Sequence, residues 1–286
     1  MSRGLMSLIA VILIAALFMA GCNNSVDTNE QDANSEAASD QTTEHDESND
    51  GSESNEEAEP DLEEVDEQVE VDNQINQGYK INESNWKVEP LGEEEKNVVL
   101  LTIDDAPDKH SVEMAKILKD LEAGAIFFVN GHFINSEEGQ AQLKEIYEMG
   151  FEIGNHTMNH KNLRDLSEED QYAEIVQLND LIEDIIGERP RFFRAPFGAN
   201  TDYSEQVVKD EGMVLMNWTY GYDWEADYME AAALADIMVN TPYLTEGANL
   251  LMHDRQWTME ALDEIVNGLE EKGYRIIDPK EIKGLE

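Results

Sequence analysis

From Val88 to the end of the chain, short apolar runs alternate with stretches in which apolar residues recur every three or four positions. Apolar runs bounded by polar or turn residues predict strands, and the three-to-four spacing predicts helices. The strand candidates are 97–103 (NVVLLTI), 125–130 (AIFFVN), 151–155 (FEIGN), 191–195 (RFFRA), 213–218 (MVLMNW), 249–253 (NLLMH) and 274–277 (YRII). Between them, Met114, Ile117, Leu118 and Leu121 mark one helix with Ser111 as its N-cap, and Leu143, Ile146 and Tyr147 mark a second that stops at Gly150. The longest helix is capped by Ser167, points Tyr172, Ile175, Val176, Leu181, Ile182, Ile185 and Ile186 inward, and ends at Gly187. Strands alternating with helices predict an α/β fold with parallel strands, and a barrel is the simplest closure for about seven of them. No internal repeat interrupts this pattern.

The first 87 residues follow a different pattern. Arg3 precedes an apolar run that ends at Gly21 and Cys22, after which the sequence turns polar at once. That order is the order of a secretory signal. Met19-Ala20-Gly21-Cys22 resembles the bacterial lipobox, which makes residues 1–21 a lipoprotein signal peptide and Cys22 the lipidated first residue of the mature protein. An uncleaved anchor helix is the alternative, since a span needs about 20 apolar residues. Either way the rest of the chain is extracytoplasmic, on the outer face of the cell membrane. Residues 23–72 then hold 20 acids and no Lys or Arg. Such a segment buries too little apolar surface to offset its ordering entropy, so residues 22–87 are expected to be a disordered acidic tether. A flexible tether of that kind spans roughly 40 Å root-mean-square, and more where like charges extend it.

Charge and cysteine usage narrow the function. With 19 Lys+Arg against 64 Asp+Glu, the net charge of −45 disfavours phosphate backbones and anionic lipid heads, so no nucleic acid is expected as a partner. One Cys allows neither an internal disulfide nor a Cys-built zinc site. Residues 91–286 hold 42 acids and 16 Lys+Arg, net −26, which suggests a salty or alkaline habitat.

The chemistry-bearing residues gather at the carboxyl ends of the predicted strands, where the loops of a β/α barrel converge. Asp104 and Asp105 follow the first, His156 and His160 the third, Arg194 ends the fourth, Asp223 and Trp224 follow the fifth, and His253 closes the sixth. Singly, each has an ordinary explanation as a turn or strand end. Their joint order does not.

The runs Thr102-Ile103-Asp104-Asp105-Ala106-Pro107, His156-Thr157-Met158-Asn159-His160, Arg194-Ala195-Pro196-Phe197, Asp223-Trp224 and Leu251-Met252-His253 resemble, in order, the five motifs of the polysaccharide deacetylase (NodB-homology) family, carbohydrate esterase family 4. The resemblance covers roughly residues 95–280 and assigns 88–286 to that domain. It implies a distorted (β/α) barrel of about seven parallel strands. Two positions depart from the family pattern: Ala106 stands where Gly is usual, and Tyr220 where an Asp is usual.

The resemblance also implies roles. Asp105, His156 and His160 are the ligands of a divalent metal, Zn²⁺ first and Co²⁺ or another ion next, with the i, i+4 imidazoles facing one way on a helical turn. Asp104 is the general base and Arg194 its ion-pair partner. His253 is the general acid, with Asp223 raising its pKa. The Phe197 backbone N–H serves the oxyanion, and Trp224 and Leu251 line the pocket for the acetyl methyl. Tyr220, Tyr222, Tyr228 and Trp257 are candidates for stacking on sugar rings. The expected activity is hydrolysis of N-acetyl groups on GlcNAc- or MurNAc-containing glycans, peptidoglycan foremost, by a monomer. Two rivals are a catalytically silent cell-wall glycan-binding lipoprotein and a glycosidase using Asp104 and Asp223 as its carboxylate pair.

Overall fold

The computed structural model describes residues 78–284; the signal-type leader, Cys22 and the acidic segment to residue 77 lie outside the described residues. Two short strands, β1 (Tyr79–Ile81) and β2 (Val88–Pro90), pair antiparallel. There follow β3 (Val98–Ala106), α1 (Ser111–Asp120), β4 (Ala125–Val129), α2 (Glu137–Glu148), β5 (Glu152–Asn155) and α3 (Glu168–Ile186). The remainder is β6 (Phe192–Phe193), α4 (Asp202–Asp210), β7 (Val214–Leu215), α5 (Ala231–Asn240), β8 (Ala248–His253), α6 (Gln256–Glu271) and β9 (Arg275–Ile276). All seven predicted strands form, most of them shorter than the apolar runs that announce them.

The seven strands make one parallel sheet in the order β7-β6-β5-β4-β3-β8, with β9 alongside the start of β3. The sheet curls until the chain beyond β7 meets β8. There Tyr220 bridges Leu250 in parallel, the Thr219 N–H donates to Asn249 O at 2.8 Å, and the Leu251 N–H donates to Tyr220 O at 2.9 Å. That contact closes the distorted barrel. Tyr220 is therefore a closing residue: its ring is buried and its hydroxyl donates to Met238 O at 2.8 Å.

The period-two alternation of β3 sorts its side chains between two cores. Val99, Leu101 and Ile103 face the helices and join the larger core with Met114, Leu118, Leu262 and Ile265. Val98 and Leu100 face inward and pack with Ile126, Phe128, Phe192, Val214 and Met216. Thr102 and Asp104 continue that inward face toward the carboxyl end, so the alternation that builds the barrel core also aims Asp104 into it.

The domain begins earlier than the boundary expected at residue 88. Tyr79, Ile81 and Val88 are buried in the inner core against Val98 and Leu100, and the Tyr79 hydroxyl donates to Glu95 O at 2.8 Å. A buried side chain of this size contributes about 1.5–3 kcal/mol, so the hairpin seals the amino end of the barrel and is not part of a leash. The short YKI run lies between polar neighbours, which hides it from a hydrophobicity reading.

Two local expectations hold and two do not. The Ser167 side chain accepts from the Asp170 N–H at the start of α3, and Gly187 ends that helix in the left-handed region at φ 84°. Ser111, however, is the first residue of α1, not its cap; His110 holds that position, and Ser111 Oγ donates instead to Asp254. Tyr172 is about half exposed, because it lies on the rim of the α3 stripe.

Candidate active site

A cleft of about 360 Å³ opens at the carboxyl end of the barrel, lined by residues that include Asp104, Asp105, His156, His160, Phe197 and His253. Trp224 and Leu251 form part of its wall, as expected from the sequence. Trp218 and Arg255 also line it, and no sequence motif singled them out.

Asp104 is buried at the end of the inward face of β3. Arg194, fully buried, donates from Nη1 to Asp104 Oδ1 at 2.6 Å and to Thr102 Oγ1 at 2.8 Å, and from Nη2 to Asn217 O at 2.8 Å. Its guanidinium also lies 4.4 Å over the Phe128 ring. Burial by itself raises the Asp104 pKa, but the charge of Arg194, the largest opposing influence, outweighs it, so the carboxyl is held below the usual aspartate range. It is a desolvated carboxylate that stays ionised.

Asp105, His156 and His160 bring one donor atom each to within 4.8 Å of one another. The two imidazoles do not lie on a helical turn. Residues 156–160 form an irregular loop in which Thr157 and His160 adopt positive φ, 70° and 54°. Polar groups that the motif does not contain hold this loop. Asn155 Oδ1 accepts the Thr157 N–H at 2.8 Å, Asn130 Nδ2 donates to His156 O at 2.5 Å, and the buried Glu174 accepts the Asn159 N–H at 2.7 Å. The signal that could have found Asn130 and Asn155 is an amide placed directly after an apolar strand run.

The donor chemistry fits a divalent cation. His156 donates its Nδ1–H to Arg194 O at 2.7 Å, which leaves Nε2 as the free lone pair in the cleft. Burial, then the neighbouring His156, lowers the His160 pKa against the opposing pull of Asp105, which favours the neutral imidazole a metal requires. Asp105 adds the single carboxylate. Its own φ is 64°, so the left-handed residue of this loop is Asp105 and not Ala106; Ala106 is fully buried at the end of β3, and the absent glycine costs the loop no required conformation.

On the opposite wall, His253 donates Nδ1–H to Asp223 Oδ1 at 2.7 Å. Asp223 is fully buried and its Oδ2 accepts from the His253 N–H and from Thr258 Oγ1, at 2.6 and 2.8 Å. Burial pulls the His253 pKa down, but the hydrogen bond and charge of Asp223 overcome it, and the imidazole ends above its ordinary value. With both oxygens committed, Asp223 is not available as half of a glycosidase pair. The Trp224 ring stands edge-on to His253 with centroids 5.4 Å apart. Gly221 allows that approach, because a Cβ there would strike the Leu251 carbonyl and the Trp224 ring.

Phe197 adopts φ 60°, its ring is mostly exposed and lies edge-on to His160 at 5.0 Å. Among the described residues its backbone N–H donates to no protein acceptor. The other aromatic candidates pack instead of facing sugar: Tyr222 bonds Thr241 Oγ1 at 2.6 Å, Trp257 donates to Asp223 O at 2.8 Å, and Tyr228 packs edge-on to Tyr222.

The family model for polysaccharide deacetylase matches residues 91–216. A peptidoglycan-N-acetylglucosamine deacetylase of Bacillus cereus is 34% identical over 191 residues, covering 63% of this chain and 68% of that protein. The chain belongs to the polysaccharide deacetylase family. Among other members, the peptidoglycan-N-acetylmuramic acid deacetylase PdaC of Bacillus subtilis is 30% identical over 66% of this chain and 39% of its own length. In three dimensions this deacetylase domain is similar to the solved structure of PdaC, with TM-score 0.58, 28% identity and coverage of 65% and 90%. It is similar also to a family 4 pseudoenzyme from Bacillus anthracis, with TM-score 0.60, 30% identity and coverage of 66% of both chains. A mutant of that pseudoenzyme with restored enzymatic activity matches at TM-score 0.60 and 31% identity, covering 66% of this chain and 68% of its own.

Proposed function

We propose that this family member is an active, divalent-metal-dependent deacetylase of N-acetylated cell-wall glycan, peptidoglycan foremost, anchored outside the membrane through lipidated Cys22. The observation that carries the reading is that one cleft holds a metal-type donor set between two tuned proton groups: Asp104, paired with the buried Arg194, and His253, whose pKa its hydrogen bond to Asp223 raises. A silent glycan binder has no need of either group.

Acetamide hydrolysis needs an activated water, a held oxyanion and a proton for the departing amine. Asp105, His156 and His160 would hold a divalent ion, Zn²⁺ being one that suits imidazole and carboxylate donors, and it would supply Lewis acidity. Asp104 takes a proton from the attacking water as its oxygen bonds to the acetyl carbon. Arg194 keeps that carboxylate oriented before the transfer. The Phe197 N–H donates to the developing oxyanion, and Trp224 and Leu251 enclose the methyl. His253 delivers its Nε2 proton to the glycan nitrogen as the C–N bond breaks, leaving acetate and a glucosamine-type amine.

The lipobox-like run Met19-Ala20-Gly21-Cys22 supports peptidoglycan as substrate, since an enzyme anchored there would meet cell wall first, and the names of the relatives agree. The test is acetate release from purified peptidoglycan and from chitooligosaccharides by the metal-loaded protein. Release that stops with chelator and returns with Zn²⁺ or Co²⁺ is expected. No release from any acetylated glycan overturns the reading in favour of the silent binder.

A further inference from the structure

Arg255 stands at the first turn beyond the general acid, as the N-cap residue of α6. Its side chain is 39% exposed and lines the cleft. Nη2 donates to Asp105 Oδ2 at 3.2 Å, and Nη1 to the Asp254 carbonyl at 3.2 Å. The other oxygen of Asp105, Oδ1, faces His160 Nε2 at 3.5 Å. The two carboxylate oxygens are thus divided, one toward the imidazoles and one toward the guanidinium.

The base of Arg255 is held as firmly as its tip. The Asp254 N–H donates to Asp104 O at 3.0 Å. The buried Asp254 carboxylate gathers the backbone N–H groups of Asp108, Lys109, His110 and Ser111, at 2.8–3.1 Å, together with the Ser111 hydroxyl. The tripeptide His253-Asp254-Arg255 therefore grips the segment on both sides of Asp105. Asp105 needs such a grip: it lies within the register shift between Ile103 and Ala106 of β3 and sits at φ 64°, a region in which a non-glycine backbone persists only when its surroundings hold it.

We propose that Arg255 is a positioning residue for the metal ligand Asp105: it occupies Oδ2 and so presents Oδ1 alone to the cation. This deepens the metal-site reading above and rests on it. Two effects compete. A guanidinium beside a dication opposes binding by charge, whereas a fixed carboxylate favours it, and outer partners of this kind are worth about 10–100-fold in metal affinity. The geometry assigns the larger effect to orientation.

The test measures Co²⁺ and Zn²⁺ affinity of the full chain by competition with a chromophoric chelator, together with the visible spectrum of the Co²⁺ form. Arg255→Gln is expected to bind about 10–100-fold more weakly with an altered Co²⁺ spectrum. Arg255→Lys, which keeps charge but lacks the fork, is expected to recover only part of the affinity. Circular dichroism melts confirm that both variants fold. Equal or tighter binding by folded Arg255→Gln, with an unchanged spectrum, overturns the inference. His160→Ala serves as the control: if wild type binds no better than this variant, the metal-site reading itself fails, which is a different outcome.

Discussion

Asp223 holds His253 at two points, accepting the ring Nδ1–H at 2.7 Å and the backbone N–H of the same residue at 2.6 Å. One buried carboxylate therefore sets both where the imidazole stands and which tautomer it adopts. Its negative charge also reverses the effect of burial, which alone would discharge the ring.

That relationship predicts a direction for Asp223→Asn. A general acid works while protonated, so activity is lost as pH rises through the His253 pKa. Wild type, with that pKa raised, keeps activity further into the alkaline range. Asn removes the nearest charge and leaves only the weaker pull of Asp104 and Asp105 against burial, so the alkaline limb of the kcat/KM profile for acetate release moves to lower pH. General acid catalysis contributes about 10²–10⁴-fold, and at neutral pH the variant is expected to lose a large part of it.

The buried Asp104–Arg194 pair gives a second prediction. Arg194→Met strands a carboxylate in the barrel and should cost about 3–5 kcal/mol in urea unfolding. Asp104→Asn removes the base, with a loss of about 10²–10⁴-fold in turnover, and strands the guanidinium. The double variant should recover stability relative to the sum of the two and recover no activity. The sign with pH follows from the depressed Asp104 pKa: the pair's stabilisation is present above the ordinary aspartate range and is lost as pH falls through the lowered value. Additive stability losses would show that the two residues do not act as a pair.

Tyr220 is the third case. It replaces an acid usual in the family, and here it closes the barrel with a buried ring and a hydrogen bond to Met238 O. Tyr220→Phe should cost about 1 kcal/mol. Tyr220→Asp, which restores the usual residue, should cost more than about 3 kcal/mol, because it places a carboxylate among the apolar side chains around Tyr220. Thermal melts check both; an Asp variant as stable as wild type would remove the assignment of Tyr220 to closure.

Much of the site was legible because its residues sit directly after apolar runs. The run VVLLTI ends where Asp104 and Asp105 begin, and NLLMH ends on His253; a parallel sheet puts such ends on one rim. The His156–His160 pair was legible as a pair but not in its conformation. A helical turn and a loop with two left-handed residues can both bring i and i+4 together, and the adjacent Asn155, with Asn130 and Glu174 from elsewhere in the fold, selects the loop.

The sequence by itself determined the parallel α/β class, the seven strands and the groups able to do the chemistry, because periodicity and strand ends are local properties of the chain. Tertiary structure decided what depends on distant partners. Tyr79 became core because the barrel's amino end needed covering, Tyr220 became the closing contact, and Arg255 met Asp105 from 150 positions away. It also decided protonation: Asp104 is buried and His253 half-buried, burial opposes the charge of each, and the Arg194 and Asp223 beside them decide which way each pKa moves.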